Sequence, residues 1–188
     1  FARLAKPGPL TPVPVINPLL PHWPDTLHEY AARTPAVKVY PNYHGYSLAD
    51  RRFRQLMHEL DRRRLALILS LRIEDERSHH PLMKVPAVPT DDILRLARAV
   101  PEVMIACCCP YSREAAALLK GPRNVRVDIS MIDGLDPVRT LVNAASPKRV
   151  LFGSHAPFLY ALPAVLKVSQ SDIPLADRRM IFWENARQ

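Results

Sequence analysis

The chain has 188 residues, of which 48% are hydrophobic, and it carries a formal net charge of +8. This length and apolar content predict one compact domain over residues 1–188 and exclude an intrinsically disordered chain. The arginines lie among acidic residues along helical segments, and no aromatic-studded basic stripe accompanies them. This pattern is typical of solvated helix faces, so we expect no nucleic-acid partner.

The cysteines and the apolar runs limit the location of the protein. Cys107, Cys108 and Cys109 are consecutive, so they cannot form a disulfide framework, and no CxxC pair suggests a zinc clamp. These features favour a reducing, cytoplasmic setting. No apolar run approaches the length of a membrane span and the N-terminal residues do not resemble a signal peptide, so we expect no membrane partner. A homo-oligomer remains possible.

Short apolar runs that end on polar residues recur along the chain, as is typical of buried parallel strands. They predict six strands, at residues 13–17, 36–40, 65–70, 103–109, 125–130 and 150–152. Helical patterns lie at residues 25–33, 47–64, 90–100, 112–120, 136–145, 158–168 and 174–186. Ser47 and Thr90 are the predicted N-caps of two of these helices.

Strands that alternate with amphipathic helices describe βα units, so the predicted fold class is α/β, a TIM-barrel-like (β/α) fold with a parallel sheet. About six βα units are fewer than the eight of a full barrel. We therefore expect either an open sheet or an incomplete barrel whose first two strands precede Phe1. The five glycines form no GxGxxG motif, which argues against a doubly wound nucleotide-binding fold.

The residues just beyond the predicted strands are candidates for catalysis, because such residues line the active-site mouth of α/β barrels. His155 follows the last strand and is a candidate general base, since an imidazole titrates near neutral pH. Asp128, on the preceding strand, is expected to orient His155. Cys109 is either a nucleophile beside His155 or, alternatively, a small buried hydrophobic residue.

A loop after the strand at 36–40 supplies candidate substrate-binding residues. Tyr40, Asn42 and His44 lie in a segment with two further tyrosines. Hydroxyl, amide and imidazole groups of this kind suit recognition of a small polar or aromatic ligand. The alternative is a loop that packs on its own rings.

The most polar segment adjoins the strand at 65–70. Alternation along an extended chain places Ser70, Arg72 and Glu74 on one face, and His79 and His80 follow. Arg72 could present a bidentate fork to a substrate carboxylate, which makes this a candidate anion-binding loop. The alternative is a salt-bridged surface loop. The Pro-rich residues 81–89 could act as a lid.

Three segments in order resemble the amidohydrolase-related (amidohydrolase 2) family of TIM-barrel hydrolases. The segment Arg149-Val-Leu-Phe-Gly-Ser-His-Ala-Pro-Phe158 is similar to the family's last barrel strand, usually written RxLFGSDxPF. Residues 124–130 resemble the strand before it, and residues 177–187 resemble the closing helix, whose usual pattern ends in Asn-Ala.

The resemblance implies a divalent metal held by an HxH on strand one, by histidines ending strands five and six, and by an aspartate ending strand eight. At the last three positions this chain has Ser70, Cys109 and His155, and the HxH would precede Phe1. The chain therefore resembles a divergent member that lacks the usual metal ligands. Cys109 and His155 remain candidate metal ligands, because both residue types bind Zn²⁺.

We expect a hydrolase that acts on a small carboxylated lactone, ester or amide without the family's metal centre and without another cofactor. In this reading His155 activates water or donates a proton, and Arg72 holds the substrate anion. Two alternatives stay open. One is a catalytically silent barrel that binds a small ligand or a partner, and the other is a Zn²⁺- or Mn²⁺-dependent hydrolase or decarboxylase with atypical ligands.

Overall fold

A computed structural model describes residues 10–187 of the chain. Within these residues, five strands form one sheet in the order β1-β2-β3-β4-β5, and every neighbouring pair is parallel. The strands are β1 Ala36–Val39, β2 Ala66–Ser70, β3 Ile105–Cys108, β4 Val125–Asp128 and β5 Val150–Leu151. Since all strands run the same way, their carboxyl ends lie together at one edge of the sheet.

Helices connect the strands, as expected for βα units. They are α1 Trp23–Tyr30, α2 Pro41–His44, α3 Arg51–Arg63, α4 Thr90–Ala99, α5 Ser112–Leu119, α6 Pro137–Ala144, α7 Ala161–Ser169 and α8 Leu175–Arg179. Short 3₁₀ turns at Glu76–Ser78 and Pro147–Arg149 complete the connections. The predicted α/β class with a parallel sheet is therefore confirmed.

The main core lies between the sheet and the helices. Val37, Leu69 and Val127 are fully buried there, together with Phe53 and Leu56 of α3. Because side chains alternate along a strand, the residues between them face the other side of the sheet, which is the inside of a barrel. That inner face carries polar groups, and it is where the candidate site lies.

The predicted strand at residues 13–17 is only a single parallel bridge, between Val15 and Lys38. Two backbone hydrogen bonds hold it, from Ile16 N to Lys38 O and from Lys38 N to Pro14 O, both 2.9 Å. Proline has no backbone N–H, so Pro14 can accept but not donate in a ladder. The apolar run was correctly located beside β1, but it does not form a regular strand.

Two predicted helix caps were wrong by a few residues. The helix predicted from Ser47 begins at Arg51, and Asp50 is its N-cap, accepting a hydrogen bond from Arg52 N at 2.7 Å. Thr90 is the first helical residue of α4 rather than its cap, which is Pro89. In both cases a turn precedes the helix, and the spacing of apolar residues along the helix does not show where the turn ends and the helix begins.

The predicted C-terminal helix over residues 174–186 is divided into three parts. The α-helix α8 ends at Arg179, a π-helical turn covers Met180–Glu184, and a 3₁₀ turn covers Asn185–Arg187. This change positions Asn185, whose side chain donates to Pro147 O and Val150 O next to β5. No helix within residues 10–187 combines the length and the apolarity needed to cross a membrane.

Candidate active site

The ends of β2, β3, β4 and β5 bring four predicted site residues to one edge of the sheet. Ser70 and Asp128 are the last residues of their strands, and Cys109 directly follows β3. His155 lies in the turn beyond β5. Cys109 and His155 both have positive φ angles, 58° and 54°, in the left-handed region that L residues rarely adopt. Backbone strain of this kind occurs often at functional sites.

Cys109 and His155 form the central contact. The Sγ atom of Cys109 lies 3.4 Å from Nδ1 of His155, and Nε2 of His155 lies 2.5 Å from the carbonyl oxygen of Ile73. A carbonyl oxygen can only accept, so Nε2 carries the ring proton. Nδ1 is then the acceptor that faces the Cys109 thiol. The ring is further held by stacking on Phe158, at 5.1 Å between centroids.

Asp128 is hydrogen-bonded to the backbone of Cys109. Its Oδ1 atom accepts hydrogen bonds from Cys109 N at 3.0 Å, from Ser130 Oγ at 2.9 Å and from Ser130 N at 3.3 Å. The sequence suggested that Asp128 orients His155. The Oδ1 atom of Asp128 contacts Cys109 and Ser130, and the Ile73 carbonyl bonds to the ring, so this role of Asp128 stays a prediction. Gly153 makes room for this carboxylate, since a Cβ there would lie 2.5 Å from Asp128 Oδ2.

Burial determines the resting protonation of this group of residues. Removal from water raises the pKa of the Cys109 thiol to about 11, with the nearby Asp128 carboxylate as a further cause. Burial likewise raises the pKa of Asp128, although its hydrogen bonds from Cys109 N and Ser130 oppose the rise. Cys109 is therefore a neutral thiol at rest, and it can donate its proton to His155 Nδ1.

Arg72 lies next to this group, but its donors are already paired. Its guanidinium is 1% exposed and bonds to Glu114 at 2.5 and 2.7 Å, to Glu76 at 3.2 Å and to Cys109 O at 2.7 Å. It also stacks over the Tyr111 ring, 3.8 Å from the ring centroid. A fork held by two carboxylates is not free for a substrate anion. The segment is salt-bridged, as in the alternative of a salt-bridged surface loop, but Arg72 is buried and not at the surface.

The residues after β1 pack on themselves and on the neighbouring loop. The ring of Tyr40 contacts those of Tyr43 and His44 edge-on, at 6.5 and 6.1 Å between centroids. Asn42 donates to Leu71 O at 2.8 Å and to Pro86 O at 3.0 Å, so it ties the end of β2 to the Pro-rich loop. These contacts give the segment a structural task. Its predicted role in substrate binding stays a prediction.

The remaining candidates lie at different depths. Ser70 is fully buried and its hydroxyl has no partner among the described residues. Glu74 and His80 are exposed, and the Nδ1 atom of His80 accepts from Leu82 N. His79 is partly buried, with an Nε2 atom that has no partner among residues 10–187. Only Ser70 and Arg72 of this predicted binding set lie at the strand ends beside Cys109.

The donor atoms at this edge do not fit the metal centre implied by the resemblance. Within residues 10–187, no group of three or more His, Cys, Asp or Glu side chains is arranged to hold a metal ion. Both ring nitrogens of His155 face partners, and the raised pKa of Cys109 disfavours the thiolate, which is the form that binds metals. Cys109 and His155 together supply at most two ligands.

Two groups important to this geometry were missed by the sequence analysis. The carbonyl of Ile73 fixes the His155 tautomer, and a backbone atom leaves no residue-type signal. Lys167 of α7 reaches the carbonyls of Ile129 and Ser130, both at 3.3 Å. Its position in an apolar helix, where a lone cation is unusual, was the signal that could have identified it.

The fold and site define an α/β protein of the TIM-barrel type with its polar residues at the carboxyl edge of the sheet. A family model described as amidohydrolase matches residues 19–188, so the chain belongs to the amidohydrolase family. This confirms the family that the three sequence segments indicated. A search of curated proteins finds no significant match.

Solved structures show the same fold at low sequence identity. The 5-carboxyvanillate decarboxylase from Sphingomonas paucimobilis has a TM-score of 0.71 and 16% identity, covering 92% of this chain and 64% of that chain. The 2,6-dihydroxybenzoate decarboxylase from Rhizobium has a TM-score of 0.65 and 18% identity, covering 88% and 65%. An uncharacterized TIM-barrel protein from Bordetella bronchiseptica has a TM-score of 0.74 and 17% identity, covering 97% and 67%.

This chain thus spans slightly less than two thirds of the length of the two decarboxylases. Together with the five parallel strands, this coverage corresponds to an incomplete barrel. The likeness shows the architecture of the sheet.

Proposed function

We propose that the protein is a hydrolase of small carboxylated esters, lactones or amides in which His155 is the proton acceptor and Cys109 is the nucleophile. The observation that carries the proposal is the tautomer of His155. Its Nε2–H is committed to Ile73 O, so the lone pair of Nδ1 faces the thiol at 3.4 Å. A nucleophile beside a base that is itself oriented by a third group is the arrangement that nucleophilic catalysis requires.

The proposed reaction has two steps, acylation of Cys109 and hydrolysis of the acyl-enzyme. As the Cys109 sulfur attacks the substrate carbonyl, the thiol proton moves to His155 Nδ1, which then gives it to the leaving alcohol or amine. Water next attacks the thioester, giving one proton to His155, and the proton returns to the departing sulfur. The raised pKa of Cys109 favours proton transfer during attack over a preformed thiolate–imidazolium pair.

The surrounding residues have supporting tasks. Asp128 and Ser130 fix the backbone and side chain of Cys109, with Ser130 Oγ 3.6 Å from Sγ. Arg72 anchors the same turn through Cys109 O. Cys109 is buried and the Phe158 ring stacks on His155, so we expect substrate access to require movement of this ring. All of these tasks are assigned to groups of the protein itself.

The test is a panel of small carboxylated lactones, esters and amides assayed with the wild-type protein and with single variants. His155→Ala and Cys109→Ala should each lower kcat/KM by at least about 100-fold, since both remove the proton-transfer pair. His58→Ala is the matched control, because His58 is an exposed histidine of α3, and its rate should be unchanged.

Mass spectrometry of acid-quenched reactions should detect an acyl group on wild-type Cys109. Unchanged turnover in either site variant would overturn the proposal. Release of carbon dioxide from an aromatic carboxylate, with no hydrolysis of any panel member, would assign a decarboxylase instead.

A further inference from the structure

A cavity of about 320 Å³ is lined by residues that include Ser130, Ser154 and Lys167. Ser130 Oγ contacts Cys109 Sγ, and Ser154 directly precedes His155, so these two serines connect the cavity with the Cys109–His155 pair. Its volume lies at the lower end of the range for small-molecule sites. It equals the volume of about ten water molecules, which suits a ligand of about ten non-hydrogen atoms.

The lining combines a partly buried lysine with apolar side chains. The Lys167 side chain is 19% exposed, and its ammonium group donates to two carbonyls, Ile129 O and Ser130 O. Met131, Pro163 and Ala164 contribute apolar surface. This arrangement fits a ligand with a charged end and a compact apolar body.

Of the two cations that line the cavity, Lys167 has the weaker contact with a carboxylate. Arg77 is held by Asp75 through contacts of 2.5 to 3.1 Å, so these two charges satisfy each other. Asp133 is 3.8 Å from Lys167 Nζ, but its side chain is 75% exposed and can turn to solvent. Burial also lowers the pKa of Lys167, a cost that a bound carboxylate would offset.

We infer that this cavity binds the carboxylate of a small, largely apolar acid, with Lys167 as the anion-binding residue. The inference rests on the proposed hydrolase and names the part of the substrate that the enzyme holds. It assigns to Lys167 the task that the sequence analysis gave to Arg72, whose donors are occupied within the protein. The carboxylate lies beside Lys167, and the apolar body lies against Pro163 and Ala164.

The probe is benzoate, with benzamide as its uncharged analogue, and binding is measured by isothermal titration calorimetry. Lys167→Met should weaken benzoate binding by at least about tenfold, because a charge-assisted contact is lost. Lys167→Arg keeps the cation and should bind benzoate more tightly than Lys167→Met. Lys148→Met removes an exposed lysine and should leave the affinity unchanged. Equal affinities for all four proteins, or equal binding of benzamide, would overturn the inference.

A second measurement keeps the test valid if Lys167→Met does not fold. In wild-type protein, benzoate should shift the backbone amide NMR signals of Ser130, Ser154 and Ala164, and shifts confined to other regions would refute the site. Cys109→Ser should still bind benzoate, because Lys167 is untouched. Binding without turnover would therefore refute the proposed hydrolase alone, and turnover without Lys167-dependent binding would refute only this inference.

Discussion

Asp128 is a residue at which burial and hydrogen bonding oppose each other. The carboxylate is removed from water, which raises its pKa, while Cys109 N and the Ser130 hydroxyl donate to it, which lowers the pKa. Burial is the larger cause, so the pKa of Asp128 lies above its ordinary value in the folded protein. Gly153 leaves room for this carboxylate, because a side chain there would overlap it.

The raised pKa of Asp128 makes a prediction about pH and stability. A group with a higher pKa when folded stabilises the fold on the acid side, and this contribution is lost as pH rises from its ordinary pKa through the raised value. Asp128→Asn cannot ionise, so its free energy of unfolding should fall less than that of wild type as pH rises from about 4, near the ordinary aspartate pKa, to neutral pH.

Urea unfolding at several pH values between these limits measures the difference. Asp133→Asn is the matched control, because Asp133 is exposed, and it should follow the wild-type pH dependence more closely than Asp128→Asn does. Parallel curves for Asp128→Asn and wild type would contradict the assignment of a desolvated carboxylate.

At the scale of elements, Arg149 joins the C-terminal end of α5 to the start of β5. Its guanidinium donates to Leu119 O at 2.7 Å, Val125 O at 2.8 Å and Pro122 O at 2.8 Å. The last carbonyls of a helix have no partners within the helix, so a planar group with several donors satisfies them efficiently. The first residue of the RxLFGS-like segment thus has a structural task, because it links the end of α5 and the start of β4 to the segment that leads into β5.

We predict that Arg149→Met lowers the free energy of unfolding by about 2–4 kcal/mol, because several partly buried carbonyls lose their donor. The free energy of unfolding of Arg149→Lys should lie between those of this variant and wild type, since an ammonium group keeps the charge but not the planar set of donors of the guanidinium. Chemical denaturation measures all three, and Arg98→Met, at an exposed position of α4, should change stability by less than about 0.5 kcal/mol. If Arg98→Met lost as much stability as Arg149→Met, the removal of a positive charge, and not the loss of the hydrogen bonds to the carbonyls, would explain the effect.

At the scale of the whole molecule, the sequence predicted the sheet well. A buried parallel strand appears in the sequence as a short run of apolar residues, which can be recognised without knowing the rest of the fold. The same logic placed Cys109 and His155 together, since the carboxyl ends of neighbouring parallel strands meet. The sequence could not show whether the Arg72 guanidinium is free to bind a substrate or is held in an ion pair, because its partner Glu114 lies 42 positions away. Residues 13–17 were misjudged because apolar character does not show whether prolines interrupt the ladder.

The metal question also concerns the whole molecule, because the ligand pattern implied by the family is spread over several strands. At the strand ends described here, Ser70 replaces one expected ligand, while Cys109 and His155 satisfy each other. Ser is a poor ligand for Zn²⁺, and the thiol must lose a proton to bind one. We therefore predict that protein purified from zinc- and manganese-supplemented cells holds far less than about one equivalent of either metal.

Inductively coupled plasma mass spectrometry of the wild-type protein and of a Cys109→Ser/His155→Ala double variant measures this prediction. Hydrolysis by the wild-type protein should persist after dialysis against a chelator, because the proposed proton acceptor and nucleophile are side chains. A stoichiometric metal that is lost in the double variant would instead make Cys109 and His155 ligands. The Nδ1–Sγ contact would then be part of a coordination shell, and the nucleophilic role proposed for the thiol would fail.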